Sequence, residues 1–224
     1  MTADERPEVI AQRNFRANRD RLAAMDLAER FRYIHDKNLW GSDASVSGTG
    51  STIDATAILR TGIPVLLRET GARSVLDIPC GDFGWLNTVE LGVPYLGADI
   101  VPALVEANRA RYGRPDRTFV CADLTRGSLP QADLVLCRDC LVHLSFANVE
   151  RALANIRASG AKWLLTTHFT QLEENADIED GDWRPLNFER PPFSFAPPER
   201  VLVEGCQEYG GAYDDKTLAL WHVA

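Results

Sequence analysis

The 224-residue sequence lacks any apolar run near the roughly 20 residues a membrane helix needs; Leu134–Cys137 is typical of its longest. A basic surplus is also missing. Thirty-two acidic against 24 basic side chains leave a formal charge of −8, whereas a nucleic-acid binder usually presents a basic face. Both absences point away from membranes and nucleic acid and toward a small or neutral substrate. Cysteine is scarce, five in all, odd in number and widely spread. That excludes a disulfide framework and fits a reducing cytoplasm. The opening MTADERPEVI has no apolar signal core, which argues against export. What is present is an ordinary globular composition, 45% hydrophobic and 25% charged. A chain of this length buries roughly 70% of its unfolded surface and needs no staples.

The first 38 residues read as helical, with Val9, Ile10, Phe15, Leu22, Met25, Leu27, Phe31 and Ile34 at helix-like spacing among charges. A small, polar loop over 41–50 follows. A helix capped by Ser51 or Thr52 then runs toward Thr61, and a further helical stretch is opened or kinked by Pro64 and ends near Gly71. From Arg73 strands alternate with helices: strands at 74–79, 93–100, 117–123, 133–139 and 162–169, helices at 83–90, 103–112 and 146–158. Nearly continuous apolar strands in this alternation indicate a parallel sheet covered on both faces. Residues 170–199, punctuated by Pro185, Pro191, Pro192, Pro197 and Pro198, read as a long lid-like loop. Two late strands, 200–210 and 216–223, read as a hairpin at the sheet edge. The expected fold is α/β and Rossmann-like: a seven-stranded, mostly parallel sheet with an antiparallel last strand. A helical cap and cofactor-covering loop over 1–72 precede a core over 73–224.

The most informative stretch is Val75–Leu86, VLDIPCGDFGWL. A strand ends at Asp77, a turn with Gly81 and Gly84 follows, and ligands of open α/β sheets lie beyond such strand ends. Asp99 ends the second strand, placed to accept hydrogen bonds from both ribose hydroxyls; Asp123 ends the third, within reach of an adenine amino group. A dinucleotide needs a glycine turn under its pyrophosphate, but here Pro79 stands in place of the first glycine, and Asp77 and Asp82 would repel phosphate. S-adenosylmethionine carries a sulfonium and an ammonium, which carboxylates favour. An NAD(P)-dependent oxidoreductase and a non-catalytic S-adenosylmethionine-binding module stay open as alternatives.

LDIPCGDFGW, YLGADI and CADL, in this order and spacing, resemble the first three motifs of class I S-adenosylmethionine-dependent methyltransferases over about residues 70–170. Pro79 and Phe83 occupy two glycine positions of the family's first motif. Trp40-Gly41-Ser42, Ser47–Ser51, PCGDFGW, Arg184–Asn187 and Pro191–Phe193 resemble a narrower group of small bacterial sugar O-methyltransferases, among them those of mycobacterial methylmannose polysaccharide synthesis. The resemblance implies methyl transfer to the reducing-end 1-hydroxyl of a 3-O-methylmannose oligosaccharide. The cofactor set is Asp77, Pro79, Gly81, Asp99, Ile100, Asp123, Leu124 and Arg138, with Trp40 and Ser47 covering the cofactor.

A hydroxyl acceptor needs a base. His143, just past the fourth strand, is the first choice, with Asp139 to orient it; His168 is the second. His222 reads as structural in an edge strand, and His35 as exposed or interfacial. Asp139, His143 and His168 are also compatible with a divalent cation such as magnesium, although no three-carboxylate set is visible. Cys137 and Cys140, like Cys80 and Cys121, read as small apolar residues at strand ends. Asp82, Trp183, Tyr209 and Tyr213 are the substrate-side candidates, the aromatic rings suited to the C–H faces of a sugar. A homodimer is compatible with all of this.

Overall fold

The computed structural model describes residues 5–42 and 45–223. Two helices come first, α1 (Ile10–Ala23) and α2 (Leu27–Asp36). Asp26 starts α2 by a reciprocal cap: its carboxylate accepts the Glu29 N–H while the Glu29 carboxylate accepts the Asp26 N–H. Phe15, Leu22, Ile34 and Leu39 form a small core between these helices. Next comes α3 (Ala57–Thr70), a single helix that runs through Pro64 where two stretches were expected. Gly71 ends it in the left-handed conformation that glycine adopts without a Cβ penalty.

The sheet holds β1 (Val75–Asp77), β2 (Tyr95–Asp99), β3 (Arg117–Cys121), β4 (Leu134–Cys137), β5 (Trp163–Phe169), β6 (Arg200–Val203) and β7 (Lys216–His222) in the order β3-β2-β1-β4-β5-β7-β6. The first five are mutually parallel; β7 runs antiparallel to β5 and to β6. The late pair is thus an edge hairpin, but β6 is the edge and β7 lies inside it, so His222 is not on an edge strand. Side chains alternate between two cores, as the two-residue period of a strand requires. Leu76, Val135, Leu164 and Ala219 face one core with Val149, Leu153 and Ile156 of α5 (Phe146–Ala158). Val75, Leu134, Leu165 and Leu218 face the other with Leu59, Ile63 and Leu66 of α3 and Val105 of α4 (Pro102–Tyr112).

The helix expected over 83–90 is only a turn of 3-10 helix, Leu86–Thr88. Phe83 takes φ of +57°, which an α-helix cannot continue through, and its ring packs against Tyr95, Tyr112 and Phe119. The residue in the glycine position therefore fills the core beneath the turn. Residues 170–199 carry neither helix nor strand, yet Leu172, Arg184, Leu186, Asn187 and Phe188 are buried. The Arg184 guanidinium donates to the carbonyls of Leu141, Leu144 and Ala176, stitching the segment to the turn after β4.

Candidate active site

The chain leaves β1 for β2 on one side and later returns to β4 on the other, so the sheet reverses its winding between β1 and β4. Open α/β sheets bind ligands at such a point, beyond the strand ends. A cleft of about 1020 Å³ lies there, and every residue of the expected cofactor set lines it: Trp40, Ser47, Asp77, Pro79, Gly81, Asp99, Ile100, Asp123, Leu124 and Arg138. Three of its residues come from α2: Leu27, Phe31 and His35. They recur every fourth residue and so share one helix face. The sequence reading treats Leu27 and Phe31 only as helix-spaced apolar residues and His35 as exposed or interfacial; their shared spacing was the missed signal.

The glycine turn is held from two sides. Asp99 accepts the N–H of Gly81 at 3.0 Å with one oxygen and that of Val101 at 2.9 Å with the other. Ser47 covers the turn, its hydroxyl accepting the Asp82 N–H at 3.0 Å, and Gly81 sits at φ of +53° where a Cβ would collide with that hydroxyl. The Asp82 carboxylate accepts from the Ser45 hydroxyl and the Gly84 N–H, so it braces this turn and lines the first cleft only. Burial raises the Asp77 pKa to about 7 against the lowering hydrogen bond from Tyr95, and burial raises that of Asp99 to about 6 against its backbone donors.

The charge of Arg138 is already answered. Its guanidinium grips Glu204 through two hydrogen bonds, 3.1 and 2.6 Å, lies 3.1 Å from Asp139 and donates to the Gly50 carbonyl. Lys216 Nζ lies 2.8 Å from Asp139 and 3.4 Å from Glu204, completing a quartet of two cations and two anions. Burial pushes the Asp139 pKa up, but Arg138 and Lys216 outweigh it and hold the carboxyl well below its usual range. Asp123 lies 3.8 Å from Arg126, and the negative character of Asp77 and Asp99 suits a cationic ligand and repels a pyrophosphate.

A second cleft of about 600 Å³ adjoins the first and shares Trp40, Ser47, Asp139 and His143 with it. Trp183, Tyr209, Tyr213 and Lys216 line only this one. Both tyrosine hydroxyls bond to the amino-terminal segment: Tyr209 accepts the Ile10 N–H and Tyr213 donates to the Pro7 carbonyl. His143 packs against Trp40 with ring centroids 5.3 Å apart. Burial lowers its pKa to about 4, against the raising effect of its bond to the Asp182 carbonyl.

Three expectations are corrected. Asp139 does not orient His143, because the carboxylate is occupied by Lys216, Arg138 and Thr167 while the imidazole is held by Asp182. His168 is outside both clefts and fully buried: the strand period turns it to the face opposite Thr167, where it accepts the Phe188 N–H and packs against Trp221. With His168 so placed, the suggested metal set is not assembled, and among the described residues no group of three or more His, Cys, Asp or Glu could hold an ion. Of the cysteines, Cys121 is the exposed last residue of β3, and all five are free thiols. Among the described residues no helix is long and apolar enough to cross a membrane.

Residues 76–159 match the methyltransferase domain family. The fold around them is the class I S-adenosylmethionine-dependent methyltransferase fold, as solved relatives of low identity show. The methyltransferase domain of bacterial CtHen1-C aligns with a TM-score of 0.58 and 12% identity, over 76% of this chain and 99% of its own. PigF with SAH aligns at 0.59 and 14%, over 95% and 68%. Human N-acetylserotonin methyltransferase in complex with SAM aligns at 0.54 and 12%, over 96% and 59%. No curated protein matches the chain. The matched stretch runs from β1 to α5 and includes Asp77, Asp99, Asp123 and His143.

Proposed function

We propose that this methyltransferase transfers the methyl group of S-adenosylmethionine to a sugar hydroxyl, the reducing-end 1-hydroxyl of a 3-O-methylmannose oligosaccharide being the specific acceptor. One observation carries the reading. His143 stands in the wall common to both clefts, with Nδ1 2.8 Å from the Asp182 carbonyl oxygen. A carbonyl only accepts, so Nδ1 holds the proton and Nε2 keeps a free lone pair. A neutral imidazole beside an acceptor is what O-methylation requires of the protein.

In this reading Asp99 and Asp123 hold the ribose and adenine, Asp77 faces the cationic end, and Trp40 and Ser47 cover the cofactor. When bound, S-adenosylmethionine supplies a methyl carbon whose new C–O bond forms as the C–S electron pair returns to sulfur. His143 Nε2 takes the hydroxyl proton. Trp183, Tyr209 and Tyr213 offer ring faces to the C–H faces of a pyranose, and Trp40 helps exclude water. The charge quartet at the cleft floor is neutral overall, which favours an uncharged acceptor over a carboxylate or phosphate.

The test is methyl transfer from labelled S-adenosylmethionine to a synthetic 3-O-methylmannose oligosaccharide, beside the same chain capped as its 1-O-methyl glycoside. Label on the free chain only is expected. Equal labelling of both would move the reaction to another hydroxyl, and labelling of neither, with transfer to an amine or a phenol, would overturn the sugar reading.

A further inference from the structure

We infer that Lys216 is a catalytic residue, its ammonium holding the acceptor hydroxyl oxygen next to His143; this rests on the reading of the second cleft as the acceptor site. The argument begins with donors. An ammonium carries three N–H bonds. Asp139 accepts one of them at 2.8 Å, and Glu204 lies 3.4 Å away as a second anion. Lys216 begins β7 and lines the second cleft together with His143 and Asp139. Gly50 lines it as well, and a Cβ there would lie 3.3 Å from Lys216 Nζ and 3.3 Å from Asp139 Oδ2. The ammonium therefore lies close beneath a residue with no side chain, on the wall of the cleft that His143 also lines.

The placement answers a chemical need. Burial weakens His143 as a base, lowering its pKa to about 4. A weak base removes the proton of a hydroxyl only if the oxygen is stabilised as it gains negative charge. A fixed cation in a site closed to water supplies that stabilisation with little reorganisation. Lys216 stays charged: burial works against the ammonium, but Asp139 and Glu204 outweigh it and hold its pKa above the ordinary lysine value. The two carboxylates also keep Nζ in one place. The proton leaves for His143 Nε2, the oxygen pair forms the bond to the methyl carbon, and Lys216 keeps all its protons throughout. The arrangement favours the more acidic hydroxyls of a sugar, of which the one at the reducing end is the foremost because the ring oxygen withdraws charge from it.

Two variants test this. Lys216→Met removes the charge, and Gly50→Ala keeps it but sets a methyl 3.3 Å from Nζ and from Asp139 Oδ2, tight enough that they must give way slightly; Gly50 has no left-handed backbone angle, so alanine is conformationally permitted there. Acceptor turnover is expected to fall roughly 10²-fold in the first and by about tenfold or more in the second. Calorimetric affinity for the acceptor, measured with S-adenosylhomocysteine bound, is expected to weaken in both, while S-adenosylhomocysteine affinity itself stays within about threefold. A 2-deoxy-2-fluoro acceptor, whose anomeric hydroxyl is more acidic, should narrow the gap between Lys216→Met and the unaltered enzyme; a purely structural role would leave that gap unchanged. If the unaltered enzyme methylates the sugar and both variants keep normal turnover and acceptor affinity, the inference is overturned. If Lys216→Met fails to fold, Gly50→Ala decides alone. If the unaltered enzyme methylates no sugar at all, it is the acceptor reading that has failed, and acceptor-independent measurements on these variants then have nothing to explain.

Discussion

His143 Nδ1 and the Asp182 carbonyl oxygen are 2.8 Å apart, so a backbone atom of the 170–199 segment sets the tautomer of the imidazole between the two clefts. The segment is itself anchored there: Gly181 N–H donates to the His143 carbonyl, Arg184 N–H to the Val142 carbonyl, and the Asp180 carboxylate accepts from Ser145 N–H and Asn148. An acidic side chain as orienter, the arrangement expected of Asp139, would raise the histidine pKa; a carbonyl does so less, and the imidazole stays neutral over the working range.

His143→Ala is accordingly expected to lower turnover by roughly 10²-fold or more with little change in S-adenosylhomocysteine affinity. Steady-state kinetics beside calorimetry on the folded variant make the check. Near-normal turnover would move the base elsewhere.

Gly81→Ala tests the turn. The added Cβ meets the Ser47 side chain, and the residue must hold φ of +53°, a conformation that costs an L-residue about 1–2 kcal/mol. Displacing Ser47 also removes its bond to the Asp82 N–H and loosens the cover over the cleft. Expected are a lower melting temperature and at least about tenfold weaker cofactor affinity. Adding Ser47→Gly should relieve the collision but not the backbone strain, so the double variant should lose less stability than the two singles summed. Strict additivity would show that the two residues do not press on each other.

Much of this was legible in the sequence because the strand ends are written in residue types that tolerate few other uses. Short apolar runs closing on Asp77, Asp99 and Asp123 located the cleft without coordinates, and the CRDCLVHLS stretch put His143 in its wall. Other features were hidden by long-range pairing. The exclusion of His168 was not local: the parity of its position along β5 and the packing of Phe188 seal it off from the cleft. The Arg138–Glu204–Asp139–Lys216 quartet joins residues 66 and 77 positions apart, so no window of sequence contains it. The expected helix after β1 failed through one residue, Phe83, whose left-handed backbone serves the core beneath.

The acidity of the cleft gives the last prediction. Asp77 and Asp99 have pKa values raised by burial to about 7 and about 6, against an ordinary value of 3.8. Both are thus largely protonated at pH 5 and largely ionised by pH 8, and only the ionised forms attract a sulfonium or an ammonium. Affinity for S-adenosylmethionine should rise as pH goes from about 5.5 to 8, and binding near neutral pH should release protons, read as a dependence of calorimetric heat on buffer ionisation. The same shifts act oppositely on the unliganded fold. Between about pH 4 and 7 the folded chain holds protons on these carboxyls that the unfolded chain has lost, so their contribution to stability falls as pH rises through that window. His143 works the other way: its pKa is lowered from 6.5 to about 4, so its contribution is present above 6.5 and is lost as pH falls toward 4. Above pH 7 the carboxylates dominate. Asp77→Asn, which keeps the shape and abolishes the charge, should therefore raise the melting temperature of the ligand-free protein at pH 8 by about 2 °C or more while weakening S-adenosylmethionine binding and flattening its pH profile. A variant that is less stable at pH 8, or that leaves the pH profile of binding untouched, would show that Asp77 is not the carboxylate whose ionisation the cofactor senses.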